Sequence, residues 1–122
     1  MCSGESYRTM EKRDRPQWVL GVTRRVSTGC GNLYVIVNYM DGGIGEVFAK
    51  LGKAGGCASC QLEALTKSIT FGLRYGVPLK VYTDHLEGIQ CPNPNWDSGK
   101  QVLSCPDAIA KVLKEVSLEY IE

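Results

Sequence analysis

Several kinds of protein are excluded by what this sequence lacks. No run of apolar residues approaches the length needed to cross a bilayer, and Met1 to Arg15 has no apolar centre of the kind a secretory signal carries. The chain is therefore expected in the cytoplasm, with no membrane partner. Charge of one sign is not in excess either: the net charge is +1 and 22% of residues are charged. Nothing in that balance points to a nucleic-acid surface, so no DNA is expected as a partner. Histidine occurs once, at His85, with no matched nucleophile or base near it in sequence, and reads as a surface residue. There is no internal repeat and no sign of a second domain in 122 residues, a length that suits one domain with a modest core.

What is present is cysteine. Cys2, Cys30, Cys57, Cys60, Cys91 and Cys105 make six in 122 residues. In a reducing compartment that number argues for a metal site or redox chemistry rather than structural disulfides. Two of the six stand in Cys-Pro steps, Cys91-Pro92 and Cys105-Pro106, at the ends of a loop rich in Pro, Asn, Asp and Gly. Pro106 suits a first helical position, Ser104 or Cys105 then falls at the cap, and Asp107 lies in the first turn. A thiol at that end of a helix is expected to have its pKa lowered by the dipole, toward the thiolate that metal binding and redox chemistry need.

Taken in order, Met1 to Pro16 is polar and aperiodic, and is expected to be a flexible N-terminal arm, with one domain over residues 17–122. Arg8, Lys12, Arg13, Arg15, Arg24 and Arg25 concentrate basic charge there, read as a solvated tail and strand rather than a phosphate patch. Val22 to Ser27 suits a strand, and Leu33, Val35, Val37 and Tyr39 alternate with Tyr34, Ile36 and Asn38 in a clearer second one. Gly29-Cys30-Gly31-Asn32 joins them. Asp41-Gly42-Gly43 reads as a hairpin turn into a third strand from Glu46 to Leu51. Ala58, Leu62, Leu65, Ile69 and Leu73 make one helical stripe, ended by Gly76 and Pro78. A shorter helix follows from about Pro78 to Glu87, and Ile109, Val112, Leu113, Val116 and Tyr120 stripe the last. The expected fold is α+β: a three-stranded antiparallel meander followed by three helices packed on one face.

Three candidate sites come from the residues alone. Cys30, Cys57, Cys91 and Cys105 all lie at element ends, where four thiolates would suit a tetrahedral zinc; Cys57-x-x-Cys60 offers a competing pair in which Cys60 could replace Cys30. The same pair at a helix start is also the spacing of a dithiol oxidoreductase, although such sites normally follow a strand of a parallel βαβ frame. Gly52-Lys53-Ala54-Gly55-Gly56 has the ingredients of an anion site, with Lys53, Gly55 and Gly56 as the groups that would hold a nucleotide phosphate. It lacks the Walker A spacing, and a tight strand-to-helix turn is the favoured account of it. Trp96 reads as a residue pinning the cysteine loop to the core.

Gly88-Ile89-Gln90-Cys91-Pro92, followed by Leu103-Ser104-Cys105-Pro106-Asp107-Ala108-Ile109-Ala110-Lys111, resembles the TSCPD domain found at the C-terminus of adenosylcobalamin-dependent (class II) ribonucleotide reductases. Leu103-Ser104 stands where the motif has Thr-Ser. Thr28-Gly29-Cys30-Gly31-Asn32-Leu33-Tyr34-Val35, Glu46-Val47-Phe48, Gly52 to Cys57 and Leu73-Arg74-Tyr75-Gly76-Val77-Pro78 match the same domain in the same order, so the resemblance covers residues 18–116. It implies a link to deoxyribonucleotide synthesis and a reductase catalytic chain or parent polypeptide as partner. It also favours Cys30, Cys57, Cys91 and Cys105 as the metal set. The chain is too short for the ten-stranded barrel that the resemblance implies for the catalytic part. Adenosylcobalamin is therefore expected only through a partner, and no catalytic residue is expected here. A free-standing nucleotide sensor or sequestering protein and a small dithiol oxidoreductase are the competing functions; a homo-oligomer is compatible with all three.

Overall fold

Alternation in the first third of the chain is realised as a three-stranded antiparallel sheet, in a computed structural model that describes residues 12–40, 43–52 and 56–118. Strand β1 (Gly21–Thr28) pairs with β2 (Gly31–Met40), and β2 with β3 (Gly43–Leu51), in the order β1-β2-β3. Val26, Leu33, Val35, Val37, Val47 and Ala49 share the inner face and are buried. Thr28 pairs with Gly31, so the β1–β2 connection is the two-residue turn Gly29-Cys30. The expected turn at Asp41-Gly42-Gly43 has its first two residues outside the described residues.

Helix α1 (Gly56–Arg74) follows the expected stripe, burying Leu62, Ile69 and Leu73. Between them lie two buried threonines that hydrophobic periodicity does not identify. Thr70 Oγ1 accepts from Val47 N–H and donates to Val47 C=O, each at 3.0 Å, so the helix satisfies backbone groups at the free edge of β3. Gly76 ends this segment at φ +103°, and α2 (Leu79–Leu86) is the expected short helix, with His85 exposed on it. The last helix, α3 (Cys105–Val116), buries Ile109, Val112, Leu113 and Val116 against the sheet and α2. Tyr120 lies outside the described residues. Among the described residues, the architecture is the α+β meander with three helices that the sequence implies.

Two features depart from the sequence reading. The cysteine loop contains a small hairpin, β4 (Asn95–Asp97) with β5 (Lys100–Val102). Ser98 and Gly99 form its two-residue turn with both φ positive (52° and 81°), the geometry of a primed turn. Period-two alternation then turns Asn95 and Asp97 toward β1 and leaves Trp96 63% exposed, so Trp96 does not pin the loop to the core. The polar neighbours do: Asn95 Nδ2 donates to Ser27 Oγ (2.9 Å), and Ser27 N–H donates to Asp97 Oδ1 (3.1 Å).

The second is a buried carboxylate. Glu46 occupies the outer sheet face yet is only 1% exposed, because Arg15 and Arg74 close over its Oε2 at 2.6 Å each and Asn38 Nδ2 donates to Oε1 at 2.9 Å. Of the residues expected to form an arm, 1–11 lie outside the described residues. Within 12–16, Arg13 donates to Leu73 C=O (2.9 Å) and Arg15 supplies half of the Glu46 clamp.

Candidate functional site

The second Cys-Pro step is built as a helix start that also holds the loop before it. Ser104 is the N-cap of α3, accepting from Asp107 N–H at 3.1 Å, and its hydroxyl donates to Ile89 C=O at 2.5 Å. Cys105 is therefore the first helical residue and Pro106 the second, one position later than expected. Asp107 is fully buried. Its Oδ1 accepts from Gly88 N–H (2.8 Å) and its Oδ2 from Leu103 N–H (3.0 Å) and Lys111 Nζ (2.8 Å). Burial pushes this carboxyl up, but the Lys111 contact and the two backbone donors outweigh it and hold it below the usual carboxylate range. Cys91 N–H donates to Leu103 C=O at 3.0 Å, completing the link between the two Cys-Pro steps.

That link brings three thiols into one neighbourhood. Cys30 stands at the tip of the β1–β2 turn, which presses on the loop after Cys91. A β-carbon on Gly29 would lie 1.9 Å from Asn93 C=O, so only glycine permits the approach. Thr28 Oγ1 accepts from Cys30 N–H (3.2 Å) and from the Cys105 thiol (3.8 Å), and Cys91 Sγ accepts from Asn93 N–H (3.4 Å). Burial pushes the Cys105 thiol up; the Thr28 contact opposes that, while Cys30 and Cys91 add to it. The expected lowering by the helix dipole is thus overturned: the site withdraws the sulfur from water and sets it beside two other thiols, and both effects disfavour a thiolate.

The structure does not bring the remaining candidates to this cluster. Cys57 and Cys60 are exposed near the start of α1. Among the described residues, no group of three or more His, Cys, Asp or Glu side chains is arranged to hold a metal ion. As they stand, the thiols do not make a closed metal site. Of the anion-site residues, Lys53 and Gly55 lie outside the described residues, and Gly56 opens α1 at φ +48°. No described helix is long and apolar enough to cross a membrane.

An apolar cleft of about 300 Å³ lies elsewhere, between β1, β5 and α3, floored by Val26, Val102, Ala108 and Val112. Its rim carries ion pairs: Arg24 with Glu115 and Asp97, and Lys114 with Glu87.

Comparison with known proteins covers nearly the whole chain. A family model described as the TSCPD domain matches residues 5–117. The chain is 27% identical over 116 residues to a vitamin B12-dependent ribonucleotide reductase of Streptomyces clavuligerus, covering 94% of this chain and 12% of that protein. The protein of the same name from Streptomyces coelicolor matches to the same extent. That of Agrobacterium fabrum is 25% identical over 113 residues, covering 91% of this chain and 9% of its own length. The chain thus spans about an eighth or less of these three relatives. No solved structure matches it.

Proposed function

The chain belongs to the TSCPD domain family, and from that membership we propose that it is an accessory module of adenosylcobalamin-dependent ribonucleotide reduction, acting through a reductase catalytic chain, as partner or parent polypeptide, and not catalytic alone. The observation that carries this reading is how the motif's polar groups are used. Ser104 and Asp107 have their side-chain oxygens committed to backbone N–H and C=O groups of the preceding loop and to Lys111. Groups held this way keep a loop in place; they are not free to move a proton on a substrate. Adenosylcobalamin would supply radical chemistry on the partner, and this chain's residues would keep a rigid surface beside it.

The test is reconstitution with a class II reductase catalytic polypeptide from which its own C-terminal domain has been removed. The added chain is expected to associate with it and to change its turnover. Alone, with adenosylcobalamin and a dithiol, it should form no deoxynucleotide. Absence of association, or deoxynucleotide formation by the 122-residue chain by itself, would overturn the reading.

We also propose that the thiol cluster takes a structural zinc, with Cys30, Cys91 and Cys105 as three ligands and Cys57 as the fourth. The proximity of the three thiols supports it, since thiolates that repel one another are stabilised together by a divalent cation. A fourth ligand from Cys57 requires the start of α1 to move toward the cluster on binding. The exposure of Cys57 and Cys60 supports a second reading, a small dithiol oxidoreductase. The antiparallel order of the sheet weighs against the frame in which such dithiols normally work.

A further inference from the structure

The outer face of the sheet stands apart from the cysteines. Two cross-strand rows lie open on it. Arg25, Tyr34 and Lys50 are in register across β1, β2 and β3, and Thr23, Ile36 and Phe48 form the next row. Arg25, Thr23, Lys50 and Phe48 are exposed and Tyr34 and Ile36 half-buried, while the alternate residues of the same strands make the core. The row beyond is covered, because there Arg15 and Arg74 close over Glu46. In the open rows the charged side chains are both cations, and no ion pair among the described residues involves either.

From this placement we infer that the outer sheet face binds single-stranded nucleic acid, with Tyr34 and Phe48 stacking two successive bases and Arg25 and Lys50 meeting the phosphates. Tyr34 and Phe48 are diagonal neighbours on adjacent strands, a relation that sets side chains roughly 7–8 Å apart. That separation suits two unstacked bases laid side by side on a sheet, the arrangement by which sheet-based modules read single strands. Duplex would not serve, because its bases are not open to stacking.

Size decides against a stable protein interface on these rows. Three strands about 4.8 Å apart, over four residues rising about 3.3 Å each, give a patch on the order of 200 Å². A stable protein partner needs about 800 Å² per side. Two nucleotides fit the smaller patch. Net charge concealed this surface: +1 for the whole chain averages over a face on which the buried carboxylate among the described residues, Glu46, is already shared by two arginines.

The experiment is fluorescence anisotropy with labelled 12-nucleotide oligouridylate and oligothymidylate, against the full chain over a series of salt concentrations. Binding should weaken with salt at a slope in log K against log[salt] of about −1.4, from two phosphate contacts on a single strand. Tyr34→Ala and Phe48→Ala should each weaken binding about tenfold, and Tyr34→Trp should restore it. Lys50→Ala leaves the packing untouched, because Lys50 is exposed, and should cut the slope by about 0.7. The inference is overturned by no binding at about 1 mM protein in low salt, by an unchanged slope in Lys50→Ala, or by uridine monophosphate binding as tightly as the oligomer. Competition for this face by a reductase polypeptide, with no oligonucleotide binding, would overturn it in favour of a protein partner.

Discussion

Two carboxylates carry more of this molecule than their number suggests. Glu46 and Asp107 are 1% and 0% exposed, and each is surrounded by donors: Arg15, Arg74 and Asn38 for the first, Lys111 and two backbone N–H groups for the second. Burial alone would push the Glu46 carboxyl up, but the Asn38 and Arg15 hydrogen bonds and the charges of Arg15 and Arg74 pull it below the ordinary range. Asp107 is lowered in the same way. A carboxyl whose folded pKa lies below its unfolded value contributes stability in full above the unfolded value, about 4, and loses it as pH falls through the folded value. Asp107→Asn should therefore cost about 3 kcal/mol at neutral pH, as expected for breaking a buried charged cluster. The difference from the unsubstituted protein should shrink steadily below about pH 4. Denaturant midpoints measured from pH 7 to pH 2 check this; a cost that does not change with pH would mean that Asp107 acts through shape rather than charge.

At the level of elements, most of the fold is legible in the sequence because burial follows periodicity. Leu33, Val35 and Val37 alternate with side chains on the open face, and Leu62, Ile69 and Leu73 recur at helical spacing, so β2 and α1 are both readable. What is not legible is burial decided by partners far away in the chain. Thr70 is buried because it bonds the edge of β3, Glu46 because Arg15 and Arg74 reach it from 31 and 28 residues away, and neither fact leaves a periodic trace. The β4–β5 hairpin is too short for alternation to register, although Ser98-Gly99 between Asn95-Trp96-Asp97 and Lys100-Gln101-Val102 is the turn signal that marks it. The candidate site divides along the same line. Spacing and turn chemistry place Cys91 and Cys105 at two ends of one loop, but their meeting with Cys30 depends on Gly29 fitting against Asn93. Ser104 is the residue on which this element-level packing turns, as cap of α3 and donor to Ile89 C=O. Ser104→Ala is expected to cost about 2 kcal/mol, from a lost cap and a lost hydrogen bond to Ile89 C=O. Thermal unfolding measures the loss, and faster amide exchange at residues 88–91 should accompany it.

For the whole molecule, the thiols occupy a seam rather than the core. Cys30 belongs to the β1–β2 turn, while Cys91 and Cys105 belong to the cysteine loop and α3, and the buried centre of Leu33, Val35, Val37, Val47, Ile69 and Ile109 contains none of them, Cys105 packing against its edge. A metal at such a seam would act on the docking of one part against the other. The proposed zinc should therefore be present at one per chain in protein purified without oxygen, and lost in Cys105→Ser but kept in Cys60→Ser. Structural zinc in peptides that have no other core contributes about 10 kcal/mol or more and its removal unfolds them. Here an existing core should confine the effect. Chelation is expected to speed hydrogen exchange at the Gly29–Gly31 turn and across residues 88–105, while the amides of β2 and α1 remain protected. Exchange followed by mass spectrometry, with and without chelator, distinguishes the cases. Global loss of protection would show that the metal holds the entire fold, and protein that never contains zinc would leave Cys30 as an exposed turn residue and Cys91 and Cys105 as half-buried thiols of the seam.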